Sequence, residues 1–180
     1  RTEFLMDTVI RLNIYDRKDE KILDRAIDRL KEIEEAMSTT ISTSDISSIN
    51  KNAGIKPVKV RKDVYQVIKQ AKVFAIATDG AYDPTIGPLV ELWDVASKNR
   101  EEVDSIPTED EIKKAKDLVD YNDLELEDDG YVYLNRPGML IPEWDQTAAA
   151  CAVSPPCSFI QAAAVLMPPS GKTCSWAMRL

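Results

Sequence analysis

Two aspartates, a tyrosine and two threonines gather in one short stretch, Thr78-Asp79-Gly80-Ala81-Tyr82-Asp83-Pro84-Thr85-Ile86-Gly87-Pro88. Leu89, Val90, Leu92 and Trp93 follow with a renewed apolar pattern. Gly80 can adopt positive φ where a preceding helix would end, so it is expected to stop that helix. Asp83 stands directly before Pro84, which drives it out of the helical region, and Gly87-Pro88 breaks the chain again. The result is a stiff loop offering backbone N–H groups, two carboxylates, an aromatic ring and a hydroxyl. Loops held between packed elements commonly carry binding residues. A plain connection between two helices, with Asp79 and Asp83 as local turn acceptors, is the alternative reading.

The chain contains no histidine. That removes Ser-His catalysis, imidazole metal ligation and the usual neutral-pH proton shuttle. Chemistry must rest on carboxylates, hydroxyls, lysines and backbone amides, with a bound Mg²⁺ as a further option. A length of 180 residues is enough for one domain with a real core. The net charge of −8, without a basic cluster, argues against nucleic acid or an anionic membrane as partner. No apolar run reaches the length of a membrane span, and no signal peptide opens the chain. It enters a strand pattern within a few residues of Arg1, so an upstream segment is expected to be missing. Cys151, Cys157 and Cys174 fit no zinc spacing, and their odd number closes no disulfide framework.

The elements that must position the loop are legible from periodicity. Thr8, Ile10, Leu12 and Ile14 alternate with Val9, Arg11, Asn13 and Tyr15, the pattern of a half-buried strand. From Asp19 to Met37, Ile22, Leu23, Ala26, Ile27, Leu30, Ile33, Ala36 and Met37 recur at helical spacing. A polar loop, Ser38 to Asn50, follows with Ile41, Ile46 and Ile49 as anchors, and Ser44 or Asp45 can cap a short turn through Ser48. Pro57 to Val60 reads as a short edge strand. Asp63 to Thr78 reads as a second helix with Val64, Val67, Ile68, Ala71, Phe74, Ala75 and Ala77 inward.

After Trp93, Ser97 to Ser105 reads as a flexible stretch. Thr108 and Glu111 form a capping box for a third helix, expected to run to about Val119 and to bury Ile112, Ala115, Leu118 and Val119. Leu124 to Leu126 and Tyr131 to Leu134, joined by Asp128-Asp129-Gly130, read as a hairpin, and Gly138 to Ile141 as the start of one more strand. These elements predict an α+β fold in which a mixed sheet is flanked by two long amphipathic helices and a shorter third.

The sequence Thr78 to Trp93, T-D-G-A-Y-D-P-T-I-G-P-L-V-x-L-W, resembles the signature loop of the ApbE-like flavin transferases, the FAD:protein FMN transferases. Two further stretches are similar to that family. One is Met37-Ser38-Thr39 through Ser44-Asp45-Ile46-Ser47 to Ile49-Asn50, followed by Ala53-Gly54. The other is Phe4-Leu5-Met6-Asp7-Thr8, where the family shows Met-Gly-Thr and this chain has Asp7 in place of glycine. The resemblance covers roughly residues 4 to 141, about half of a complete member.

It implies Mg²⁺-dependent cleavage of FAD, transfer of FMN to a threonine hydroxyl of a partner flavoprotein and release of AMP. Attack at phosphorus of this kind needs positioned carboxylates, a divalent metal and backbone donors, but no histidine. Carried over residue by residue, Met6, Thr40, Ala81, Tyr82 and Asp83 match positions that contact FAD. Asn50 and Thr85 are weaker candidates. In that role the Asp83 carboxylate accepts a hydrogen bond from a ribose hydroxyl or an adenine amine. The family's metal ligands lie in motifs that this chain lacks, so no residue is assigned to Mg²⁺. The resemblance also points to the periplasmic side of a bacterial cell envelope. A catalytically silent FAD-binding fragment and a structural α+β domain with no ligand are the alternatives.

After Ile141 the family pattern stops. Glu143, Asp145, Lys172 and Arg179 are the only charged residues from there on, and no period holds for long between Pro155-Pro156 and Pro168-Pro169. Ser170-Gly171-Lys172-Thr173 is not a phosphate loop, because the first glycine of that motif would fall on Leu166. Residues 1–141 thus read as the amino-terminal part of a flavin transferase domain, incomplete relative to the family fold. Residues 142–180 read as a divergent tail, expected to be a frame-shifted or mis-joined continuation of a longer coding sequence. The first strand and both long helices are expected to expose core faces as a result.

Overall fold

The alternation around Ile10 and the helical spacing of Ile27, Leu30 and Ile33 each produce the element they predict. In the computed structural model the described residues are 1–5, 8–15, 20–93 and 106–143, with the backbone of 175–177. In chain order the elements are β1 Thr2–Leu5, β2 Thr8–Asn13, α1 Glu20–Met37, α2 Asp45–Lys51, β3 Val58–Lys59, α3 Lys62–Ala77, α4 Gly87–Leu92, α5 Glu109–Lys116, β4 Leu124–Glu127, β5 Tyr131–Leu134 and β6 Ser175–Ala177. One turn of 3₁₀ helix, Tyr121–Asp123, precedes β4. The chain divides into two units, Arg1–Ser38 with Trp144–Leu180, and Thr39–Glu143.

In the first unit β1 and β2 pair antiparallel from Thr2↔Arg11 to Leu5↔Thr8, and β6 lies parallel to β2 on its other side. Ile10 and Leu12 are buried while Val9 is exposed, as alternation requires. Helix α1 packs on β1 and buries Ile27, Leu30, Ile33, Ala36 and Met37. Its core face is therefore not left open, contrary to expectation. The exposed apolar surface lies instead on the outer side of the ribbon, where Phe4 and Val9 face each other across the strands. Strand β6 is too short to show a period, which is why the tail gave no sign of it. The rest of the tail, from Trp144 on, lies outside the described residues, as do Met6, Asp7 and the stretch Ser97 to Ser105.

The second unit carries its own sheet, order β3-β5-β4, all antiparallel. The single mixed sheet of the sequence reading is thus two three-stranded sheets, one mixed and one antiparallel, within the same α+β class. Ser44 starts α2 by accepting a hydrogen bond from the Ser47 N–H at 3.0 Å on its hydroxyl. Asp45 accepts from the Arg61 N–H at 2.7 Å, tying the first turn of α2 to the start of α3. Helix α2 packs on β5. Ile46, Ile49, Val64, Ile68, Leu124, Val132, Leu134, Met139 and Ile141 form the fully buried core of this unit.

Helix α3 buries Val64, Val67, Ile68, Ala71 and Ala75 as expected, adds Tyr65, and leaves Phe74 half-buried and Ala77 exposed. The capping box at Thr108 forms, with the Thr108 N–H donating to Glu111 Oε2 at 2.8 Å. That bond holds the Glu111 carboxyl below the usual carboxylate range. Helix α5 stops at Lys116, short of Val119, and none of its residues is fully buried. The chain tightens there: the Leu118 N–H donates to Ala115 O and the Val119 N–H to Lys116 O, three residues back rather than four.

The expected strand at Gly138 to Ile141 is reduced to one parallel bridge between Leu140 and Ile86. On the other edge of this segment a side chain takes the place of a strand. Asn50 Nδ2 donates to Ile141 O at 2.9 Å, and the Ile141 N–H donates to Asn50 Oδ1 at 2.8 Å. Replacing Asn50 by Ala leaves both backbone groups of a fully buried residue without these partners. Asn50→Ala is expected to lower stability by about 2–4 kcal/mol, on the order of 1–2 for each lost partner. The check is the urea midpoint, with the denaturant slope unchanged.

Candidate functional site

Helix α3 ends where its carbonyls meet two consecutive residues of positive φ. The Gly80 N–H donates to Ala75 O at 3.0 Å and the Asp79 N–H to Ile76 O at 3.2 Å, the bond pair of a Schellman motif. The left-handed residue that turns the helix is Asp79 at φ 52°, with Gly80 at 76° following it. Gly80 is therefore not the stop itself, as expected from the sequence, but the residue after it. Aspartate tolerates this conformation better than most side chains because it can bond its own turn. Space beside Gly80 is also tight. A Cβ there would stand 3.2 Å from Cε1 of Tyr121.

The Thr78 hydroxyl closes the corner. It donates toward Phe74 O at 2.9 Å, with Ala75 O at 3.2 Å, and accepts from the Tyr82 N–H at 3.2 Å. The Tyr82 ring stands edge-on to Phe74, centroids 5.3 Å apart and planes at 67°. Burial, with a smaller push from the Asp83 carboxylate, raises the Tyr82 hydroxyl to about 12.

Asp83 is the hub of the loop. Its Oδ1 accepts from the Thr85 N–H at 2.8 Å and from the Thr85 hydroxyl at 2.6 Å. Its Oδ2 accepts from the Tyr121 N–H at 2.9 Å. Pro84 has no N–H, so the donor two residues on from Asp83 closes the turn. Thr85 is fully buried, and its hydroxyl also accepts from the Asp120 N–H at 3.0 Å. A few residues later the Gly87 N–H donates to Leu140 O at 3.1 Å. A Cβ on Gly87 would stand 2.4 Å from that same oxygen, so only glycine permits the approach. Helix α4 then begins and packs on α5.

Of the residues singled out in the sequence, Ala81, Tyr82 and Asp83 are held in one fixed loop, Ala81 exposed and the other two half-buried. Thr40 is exposed in the segment leading to α2, and Met6 lies outside the described residues. Asn50 and Thr85 carry structural bonds, Asn50 to Ile141 and Thr85 to Asp83 and Asp120. Sequence reasoning missed Asp120 and Tyr121. Their part in the loop is played by backbone N–H groups, which no side-chain identity advertises.

Asp83→Asn keeps the shape but turns one acceptor into a donor facing an N–H or a hydroxyl. It is expected to cost about 1–3 kcal/mol of stability, read as a lowered melting temperature. Tyr82 gives a pH dependence at the alkaline end. Below pH 10, the ordinary value of a tyrosine, both folded and unfolded chains keep this proton and the contribution is complete. Above it the unfolded chain releases the proton first, so stability falls as pH rises toward about 12. Tyr82→Phe should flatten that part of the stability profile, and tyrosinate absorbance during unfolding at stepped pH checks it.

The sequence model of the ApbE family matches residues 6–142. The FAD:protein FMN transferase of Klebsiella pneumoniae is 31% identical over 136 residues, covering 75% of this chain and 42% of that protein. The FAD:protein FMN transferase of Vibrio cholerae is 34% identical over 110 residues, covering 61% and 32%. Among solved structures, the ApbE protein of Thermotoga maritima is similar with a TM-score of 0.73 and 28% identity, over 85% of this chain and 49% of that one. The flavin transferase ApbE of Vibrio cholerae gives a TM-score of 0.71 and 25% identity, over 84% and 50%. The chain spans half the length of these relatives, or less. With most of its sequence matched, and with a fold shared with solved relatives, the chain belongs to the ApbE family.

Proposed function

We propose that the protein serves flavin transfer: the FMN part of FAD passes to a threonine hydroxyl of a partner flavoprotein and AMP leaves. The threonine oxygen forms a bond to the FMN phosphorus, the bond from that phosphorus to the AMP oxygen breaks, and the hydroxyl proton is released. Membership of a family whose named relatives are FAD:protein FMN transferases supports this reading. The structural observation that carries it is the fixed loop Asp79 to Gly87, which presents Ala81, Tyr82 and Asp83 from a frame anchored at both ends. Loops so fixed bind without the cost of ordering.

Within this proposal residues 1–141 supply the amino-terminal part of the transferase domain and 142–180 a divergent tail. Ala81, Tyr82 and Asp83 hold the flavin nucleotide, together with Met6 and Thr40. Oδ2 of Asp83 has one donor from Tyr121, and a carboxylate oxygen accepts two. One direction therefore serves a ribose hydroxyl or an adenine amine. We place the activity on the periplasmic side of a bacterial envelope, and among the described residues no helix is long and apolar enough to cross a membrane.

Mg²⁺ belongs to the proposal through the family. Among the described residues, however, no three histidine, cysteine, aspartate or glutamate side chains are grouped to hold a metal ion. These residues do not fit a metal centre, and no step is assigned to one. A second reading is FAD binding without turnover.

Titrating FAD with the chain and following flavin fluorescence tests binding. AMP release, with an FMN-sized mass gain on a co-expressed acceptor domain in the presence of Mg²⁺, tests transfer. Binding with both products supports transfer. Binding with neither leaves the second reading, and an unchanged flavin signal removes both.

A further inference from the structure

We infer that Thr85 is a positioning residue for the flavin-nucleotide site. Through one buried hydroxyl it holds Ala81–Asp83 in the shape offered to the ligand, and this rests on the nucleotide-binding reading above.

The loop has two anchors. At its start the Schellman bonds and the Thr78 hydroxyl fix Asp79, Gly80 and the Tyr82 N–H. At its end Thr85 bonds both the loop and the 120–121 backbone through a single oxygen. Its hydroxyl donates to Asp83 Oδ1 at 2.6 Å and accepts from the Asp120 N–H at 3.0 Å. Donor and acceptor roles are thereby both used in a residue with no solvent exposure, so water cannot take over either one. Asp83 adds the parallel bond from the Tyr121 N–H at 2.9 Å. The 120–121 backbone thus grips two loop residues two positions apart.

Tyr121 also limits the space beside Gly80, near the first anchor. The three residues between the anchors then have little freedom left. A hydroxyl that touches no ligand therefore sets the direction of the Asp83 carboxylate and of the backbone before it.

The test compares Thr85→Val, Thr85→Cys and Thr85→Ser in the full chain. Thr108→Ala serves as a control that loses the cap of α5 and with it part of the stability. Hydrogen exchange and FAD fluorescence are measured on each. In Thr85→Val, exchange should rise at residues 81–87 and 120–121 with the rest of the second unit unchanged, and FAD should bind about tenfold more weakly. Thr85→Cys keeps the volume with a weaker donor and should lie in between. Thr85→Ser keeps the hydroxyl and should restore affinity to within about threefold of the parent. Thr108→Ala should lose stability without losing affinity.

If Thr85→Val does not fold, the Cys and Ser variants decide by their order. Exchange at 81–87 and 120–121 that does not change in the folded variants overturns the inference. So does an affinity loss no larger than that of Thr108→Ala. A parent chain that binds no FAD overturns the nucleotide reading and this inference with it. A parent that binds normally, beside Thr85 variants that do the same, overturns the inference alone.

Discussion

A single carboxylate organises the segment between α3 and α4. Three donors converge on Asp83, two from Thr85 and one from Tyr121, and between them they join residues 38 positions apart in the chain. Charge-assisted bonds of this kind are stronger than bonds between neutral groups, and here they replace any regular ladder. The close approach of Gly87 to Leu140, and with it the start of α4, follows from a loop that is already fixed a few residues upstream.

Regular elements were legible in the sequence because their causes are local. Ile10 and Leu12 alternate, Ile27, Leu30 and Ile33 repeat at helical spacing, and Thr108 with Glu111 spells a cap; each gave the element observed. The Glu127-to-Tyr131 turn of the hairpin rests on Gly130 at positive φ, which the Asp-Asp-Gly sequence announces. Where tertiary bonds decide, the pattern failed. Positions Ile112, Ala115, Leu118 and Val119 carry a helical period, yet the helix tightens into three-residue bonds after Lys116. One sheet was expected where the described residues form two, since pairing partners distant in sequence leave no local trace.

The loop was found from its unusual composition, but its mechanics were not. Asp79 rather than Gly80 takes the left-handed position that ends α3, because the two neighbours share the turn and the Schellman bonds place the first of them at the bend. The partners of Asp83 and Thr85 across the fold are main-chain amides of Asp120 and Tyr121. A sequence shows which side chains can accept hydrogen bonds; it does not show which distant backbone will donate them.

The Asn50 carboxamide has a consequence for how this chain behaves among its copies. A strand segment with open N–H and C=O groups is a template onto which another chain can add, and flat open edges invite aggregation. At Ile141 both groups on one edge are already taken by a side chain, while Ile86 and Gly87 occupy the other edge through Leu140. A carboxamide has the same donor and acceptor as a peptide but no continuation beyond them. It completes the pairing and ends it, so the segment at Ile141 is closed to growth on that edge.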